Sequence, residues 1–215
     1  GGELWDDPRF AATPPELRRI NDIAFSGDGE PTCLPDFDRA VAIAAEAKDA
    51  HRLDDVKLVV ITNATQLESE QVRRALPILD GHNGEIWCKL DAGTESWFEI
   101  VNRPGPIRLA DVIRGILRVA RAREVVIQTL WFRVDGRSPS SDEIGAYCDR
   151  LNEILASGGR IRAVQIHTIA RSPLSPRASS LSDAQLDAIA EHVRRRVPEA
   201  EVEVFYGADV PPQKA

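Results

Sequence analysis

This 215-residue chain predicts an α/β fold built on a parallel sheet, and three observations carry that expectation. Short runs rich in Val, Ile and Leu alternate with longer helical patterns, and the connections between them are short. No repeat of fixed period, low-complexity stretch or internal linker interrupts the series. With 43% hydrophobic residues the chain can bury a sizeable core, so residues 1–215 read as a single domain.

Thr13-Pro14-Pro15-Glu16 opens a short helix, because proline is tolerated in a first helical turn. Ile23-Ala24-Phe25 anchors a strand over 22–26, followed by a helix over 36–51 and a strand over 56–62. Ser69 opens a helix over 68–79 that Gly81 stops, and a strand follows over 85–91. A helix over 109–121 leads into a strand over 124–132. Ser141 starts a helix over 141–156, which Gly158-Gly159 ends before a strand over 162–169. Ser182 opens the last helix, 182–196, and a strand over 201–206 closes the series.

No apolar run approaches the ~18 residues of a membrane-spanning helix, and no signal peptide opens the chain. Cys33, Cys88 and Cys148 are too widely spaced for a disulfide framework, so the sequence places the chain in the cytoplasm. Charge is uneven: 10 Lys+Arg against 20 Asp+Glu over residues 1–100, and 17 against 14 over 101–215. The basic surplus gathers at Arg114, Arg118, Arg121 and Arg123, at Arg133, Arg137, Arg160 and Arg162, and at Arg194-Arg195-Arg196. Those arginines read either as solvated helix faces or as an RNA-binding surface.

Such a series of βα units makes either a doubly wound sheet or a barrel, and in both the ligands gather at the C-terminal ends of the strands. Successive strand residues alternate faces. Lys89 and Asp91 therefore share one face while Cys88 and Leu90 pack under the helices, with Cys88 an inert core thiol. Gln128 stands opposite Ile127 and Thr129, and Gln165 and His167 stand opposite Ile166 and Thr168. Polar residues on the face away from the aliphatic run favour an open, ligand-holding barrel. His167 reads either as a ligand-facing group or as a core histidine bonded to a neighbouring carbonyl. Cys33 reads as packing beside Leu34-Pro35, and His51, His82 and His192 have no partner at ligand spacing, so no metal site is expected in this chain.

The sharpest local feature is Phe25-Ser26-Gly27-Asp28-Gly29-Glu30-Pro31-Thr32, a strand ending in a glycine-flanked carboxylate. The glycines allow backbone angles that a side chain would forbid. Held this way, Glu30 suits an ammonium group; the plain alternative is a strand-to-helix turn with Asp28 and Glu30 near a helix N-terminus. A phosphate-binding loop is a weaker alternative, since both carboxylates would repel an anion.

Phe25 to Pro31 resembles the Gly-Gly-Glu-Pro motif of the radical S-adenosylmethionine (radical SAM) superfamily, with Asp28 between the glycines. Val60-Ile61-Thr62-Asn63 is similar to that superfamily's third strand, with Ala64 in place of its usual glycine. Lys89-Leu90-Asp91-Ala92-Gly93, followed by Asn102-Arg103-Pro104, is similar to the fourth strand and the loop and helix after it. Order and spacing most resemble the wyosine-synthase-like branch and its uncharacterised relatives, over residues 23–207. The resemblance implies a partial (β/α)6 TIM-like barrel of radical SAM type.

One departure is large. The superfamily's Cys-x3-Cys-x2-Cys loop, whose thiolates hold a [4Fe-4S] cluster, has no counterpart among three cysteines separated by 55 and 60 residues. The expectation is that the first strand and cluster loop are absent from this chain and precede Gly1, or that the cluster has been lost. The resemblance then implies a radical SAM core. In the complete protein a reduced cluster would cleave SAM to a 5′-deoxyadenosyl radical that abstracts hydrogen from an unknown substrate, while this chain alone would be inactive. Gly27, Asp28, Gly29 and Glu30 would hold the methionine ammonium, and Thr62, Asn63, Lys89 and Asp91 its carboxylate and the ribose hydroxyls. Gln128 and His167 would lie on the substrate side. The competing expectation is a non-catalytic SAM-binding or scaffold domain. An exposed sheet edge at the strand ending near Gly27 would be covered by Gly1–Phe10 or would pair in a homodimer.

Overall fold

The computed structural model describes residues 3–27, 29–173 and 175–207. A four-residue helix, α1 (Glu3–Asp6), and a 3-10 turn at Pro15–Leu17 precede β1 (Asp22–Phe25). A second 3-10 turn at Pro31–Cys33 leads to α2 (Phe37–Ala50), β2 (Lys57–Thr62), α3 (Glu70–Gly81) and β3 (Gly84–Lys89). Next come α4 (Glu95–Val101), α5 (Leu109–Ala122), β4 (Glu124–Leu130) and β5 (Phe132–Val134). The chain continues through α6 (Ser141–Ala156), β6 (Arg160–His167), β7 (Ala178–Ser180), α7 (Asp183–Arg196) and β8 (Glu201–Phe205).

Six strands form one parallel sheet in the order β1-β2-β3-β4-β6-β8, which is their order along the chain. That order decides between the two architectures the sequence left open. Right-handed crossovers that never reverse direction put every helix on one side, whereas a doubly wound sheet must reverse. The result is a partial barrel whose sheet is not closed: β1 and β8 are edges, each paired on one side among the described residues.

Period-2 alternation separates the faces. In β3, Ile86 and Cys88 are buried against the helices while Glu85, Trp87 and Lys89 face the concave side. Helix α5 answers with Val112, Ile113, Ile116, Val119 and Ala120, the stripe of a helix lying on a core. Leu58, Ile127, Leu151, Ile154 and Ile166 are also fully buried in this layer, each contributing roughly 1.5–3 kcal/mol by leaving water. At the N-terminal end of the concave face, Glu85 bridges Lys57 and Arg162, both at 2.7 Å. A register shift between Val125 and Val126 accompanies Arg162's reach across β4.

Several expectations are corrected. Strand β3 ends at Lys89, which leaves Asp91 in the loop beyond it. The cap of α6 is Ser140, whose hydroxyl accepts from Glu143 N–H at 3.1 Å, one residue before the expected Ser141. Helix α4 and the antiparallel pair β5–β7 were not among the expected elements, being too short for their periodicity to register. Glu3–Phe10 does not cover the edge of β1: Leu4 and Phe10 are exposed and no backbone hydrogen bond joins the segment to β1. Gly1 and Gly2 lie outside the described residues.

Candidate functional site

Two clusters of polar groups sit side by side at the C-terminal ends of the strands. The first is built on Glu30, which caps the Pro31–Cys33 turn. Its Oε1 accepts from Thr32 N–H at 3.1 Å, Thr32 Oγ1 at 2.5 Å and Thr62 Oγ1 at 2.6 Å, and its Oε2 accepts from Asn63 N–H at 2.6 Å. Thr32 and Thr62 are fully buried, so the carboxylate ties the tip of β1 to that of β2 from within the fold. A carboxylate offers about four acceptor positions, and Oε2 carries one bond, so Oε2 is the oxygen left to receive a further donor.

Around it, Ser26, Gly27, Gly29, Glu30 and Pro31 line a hollow of about 210 Å³. Gly27 and Gly29 have φ of 136° and 140°, a region closed to most side chains, which lets bare backbone line the hollow. Asp28 lies outside the described residues. Thr62's hydroxyl also accepts from Ala64 N–H at 3.0 Å, and Asn63 Oδ1 accepts from Thr65 N–H and Oγ1 at 3.0 and 2.7 Å. The Thr62 side chain and the Asn63 backbone N–H thus fix the position of Glu30, while the Asn63 side-chain oxygen is taken up by Thr65.

The second cluster lines a cavity of about 710 Å³ at the tips of β3, β4 and β6, which gathers Lys89, Asp91, Gln128 and His167. Its size is that of a small-molecule site. Cross-strand register explains the grouping: Lys89 is opposite Gln128, Gln128 opposite Gln165, and Gln165 opposite Glu203. Gln128 Nε2 donates to Gln165 Oε1 at 3.3 Å, and Gln165 Nε2 to Glu203 Oε2 at 2.9 Å, leaving the Gln128 carbonyl to the cavity. Lys89 is exposed and, among the described residues, makes no ion pair or hydrogen bond.

Asp91 is held from two sides: Oδ1 accepts from Leu130 N–H at 2.9 Å and Oδ2 from Asn102 Nδ2 at 3.0 Å. Burial pushes its carboxyl above the usual carboxylate range, opposed by those two bonds and by the Lys89 charge. The loop behind it is pinned by Glu143 of α6, which is 4% exposed. Glu143 accepts from Gly93 N–H at 2.5 Å, Thr94 N–H at 3.4 Å and Thr94 Oγ1 at 2.5 Å. Gly93 must be glycine, because a Cβ there would lie 2.0 Å from Tyr147 N. Thr94 in turn caps α4, and Asn102 at the other end of α4 reaches back to Asp91.

His167 stacks on Phe205 with ring centroids 4.4 Å apart and planes 5° from parallel, and its Nε2 is buried without a partner. The alternative of a core histidine bonded to a carbonyl is therefore not what the fold shows. Burial lowers its pKa, opposed by the charge of Glu203.

The expected site residues thus fall into two neighbouring groups: Gly27, Gly29, Glu30, Thr62 and Asn63 in one, and Lys89, Asp91, Gln128 and His167 in the other. Glu30's field reaches the second group's strand: burial and then that charge push Cys88 up to about 12, which makes it inert as a nucleophile. Sequence reasoning missed Asn102, Glu143, Glu203 and Phe205. Alternation along β8, where Val202 and Val204 face the helices, was the available signal for the last two. The three cysteines do not converge: Cys33 is exposed beside β1, and Cys88 and Cys148 are buried in the helix layer. They do not fit an iron-sulfur cluster. Among the described residues, no group of three or more His, Cys, Asp or Glu is placed to hold a metal ion, and no helix is long and apolar enough to cross a membrane. Several of the arginines are spent on neighbours: Arg114 and Arg118 face Glu68 at 3.7 Å, and Arg123 pairs with Asp80.

No family model matches the chain, and no curated protein matches it. Solved structures do. A radical SAM methyltransferase from Sphaerobacter thermophilus aligns with 88% of this chain and 52% of its own, at 18% identity and a TM-score of 0.62. A domain of pyruvate-formate lyase-activating enzyme from Bacteroides vulgatus ATCC 8482 aligns over 85% and 99%, at 16% identity and 0.59. TYW1 with a lysine-pyruvate adduct bound aligns over 90% and 56%, at 13% identity and 0.58. The chain thus spans about half the length of two of these proteins and nearly all of the third. It has the radical SAM-type fold.

Proposed function

We propose that this chain is the SAM-binding core of a radical SAM-type enzyme. The observation that carries the reading is the pairing of an anionic and a cationic cluster at one end of the sheet. Glu30 Oε2, bonded to Asn63 N–H at the end of β2, has room for a donor, and Lys89 on the neighbouring β3 has a cation that makes no ion pair or hydrogen bond among the described residues. An amino-acid zwitterion carries the two opposite charges that such a pair would take, an ammonium for Glu30 and a carboxylate for Lys89.

In this reading Glu30, with the backbone of Gly27 and Gly29, takes the methionine ammonium, and Lys89 takes the carboxylate. Asp28 belongs to the same loop. Thr62 and Asn63 act by orienting Glu30. Asp91, fixed by Asn102 and Leu130, accepts from ribose hydroxyls, and Gln128 and His167 face the substrate. SAM held by these residues would supply the adenosyl group, and this chain's share would be to orient it and exclude water. Among the described residues no set fits an iron-sulfur cluster. The same fact favours a second reading, a SAM-binding domain without catalysis of its own.

Calorimetric titration with SAM tests the binding claim. Binding by the unsubstituted chain, weakened about 10- to 100-fold by Glu30→Gln and by Lys89→Gln, is the expected result, from roughly 1.5–3 kcal/mol per charged hydrogen bond. No binding, or binding indifferent to both substitutions, overturns it. Release of 5′-deoxyadenosine under reducing conditions would reject the second reading.

A further inference from the structure

The large cavity holds more positive charge than the cofactor reading uses. Arg171 lines it together with Lys89 and, among the described residues, makes no ion pair or hydrogen bond. Its basic neighbours are already engaged: Arg177 pairs with Asp135 at 2.6 Å, and Arg133 donates to the Ser180 carbonyl and to Gln185. Asp91, the carboxylate of the lining, is fixed by Leu130 and Asn102 and faces the charge of Lys89 rather than that of Arg171.

His167 supplies a second donor from the sheet side. A neutral imidazole carries one N–H. Placing it on the buried, unpartnered Nε2 would orphan a donor, so the proton belongs on Nδ1, the nitrogen left accessible. Phe205 covers one face of the ring and holds it in place. Leu130, Phe132 and Ile169 give the same cavity an apolar wall.

We infer that the part of the cavity between His167 and Arg171 binds an anionic group of the substrate, a carboxylate or a phosphate borne on an apolar body, with the Arg171 guanidinium and His167 Nδ1–H as its donors. A planar guanidinium suits such groups because it can donate two parallel bonds. The inference deepens the proposed function and rests on it only in giving Lys89 to the methionine carboxylate.

The test titrates the chain at low salt with phenyl phosphate, benzoate and neutral benzyl alcohol, followed by calorimetry and by the His167 ring resonances. One anion or both is expected to bind and to shift His167, and the preferred one identifies the substrate's group. Benzyl alcohol is expected to bind at least tenfold more weakly. Arg171→Gln should weaken the anion at least tenfold and Arg171→Lys less, with thermal melts confirming that both fold. No anion binding, equal binding of the alcohol, or an affinity indifferent to Arg171→Gln overturns the inference. Anion binding that depends on Arg171 in a chain that does not bind SAM overturns the proposed function alone; SAM binding without an anion site overturns the inference alone.

Discussion

Thr62 donates its hydroxyl to Glu30 Oε1 at 2.6 Å, and with the bond from Asn63 N–H to Oε2 it joins the loop after β1 to the end of β2. Thr62 is fully buried and its oxygen also receives Ala64 N–H, so Thr62→Val removes a donor from Glu30 and an acceptor from Ala64. A stability loss of about 1–3 kcal/mol is expected, together with weaker SAM binding, measured by denaturant unfolding and calorimetry. Glu30→Gln should likewise lower stability as well as affinity, because its carboxylate accepts four hydrogen bonds. A variant of Thr62 with unchanged unfolding midpoint would show that the bond does not hold the loop.

Glu143 lies on a helix remote from the cavity yet sets the loop that carries Asp91. Glu143→Ala leaves the buried Gly93 N–H without an acceptor and should cost roughly 3 kcal/mol, whereas Asn102→Ala should cost about 1. Both should raise the mobility of Asp91, read as loss of protection from hydrogen exchange at the Leu130 amide, which donates to Asp91 Oδ1. Equal protection in wild type and both variants would separate Asp91 from this chain of contacts.

The folded His167 takes its proton below the ordinary 6.5, burial being the cause and the charge of Glu203 the opposing influence. Unfolded, it takes that proton near 6.5, so the unfolded state binds more protons in the window below that value. Stability associated with neutral His167 is complete above 6.5 and drains as the pH falls through the folded value. Unfolding free energy measured from pH 7.5 down to 5 should therefore fall less steeply in His167→Phe than in wild type. Parallel slopes would place the acid sensitivity elsewhere.

Anaerobic reconstitution with iron and sulfide should give no stoichiometric [4Fe-4S] cluster, because Cys88 and Cys148 are buried apart from the exposed Cys33. A cluster that survives desalting would refute this.

Strand β1 is unpaired on its outer side among the described residues, and an open parallel edge is a template for another strand. Sedimentation velocity over a hundredfold concentration range should show a monomer-dimer equilibrium. A monomer at every concentration would show that the edge is protected.

What the sequence determined by itself was local. Alternation placed Lys89 and Asp91 on the face opposite Cys88 and Leu90, and Gln128 opposite Ile127 and Thr129; the six long strands and five long helices lie where their periodicity put them. These features come from backbone geometry, which neighbouring residues encode together. The tertiary structure decided everything that joins distant residues. It chose a sheet in chain order over a doubly wound one, paired three-residue β5 with β7, and brought Glu143 to Gly93 and Asn102 to Asp91. It also turned Thr62 and Asn63 from free donors into the clamp on Glu30. Each such contact depends on how several helices and strands pack at once, and no short stretch of sequence carries that information.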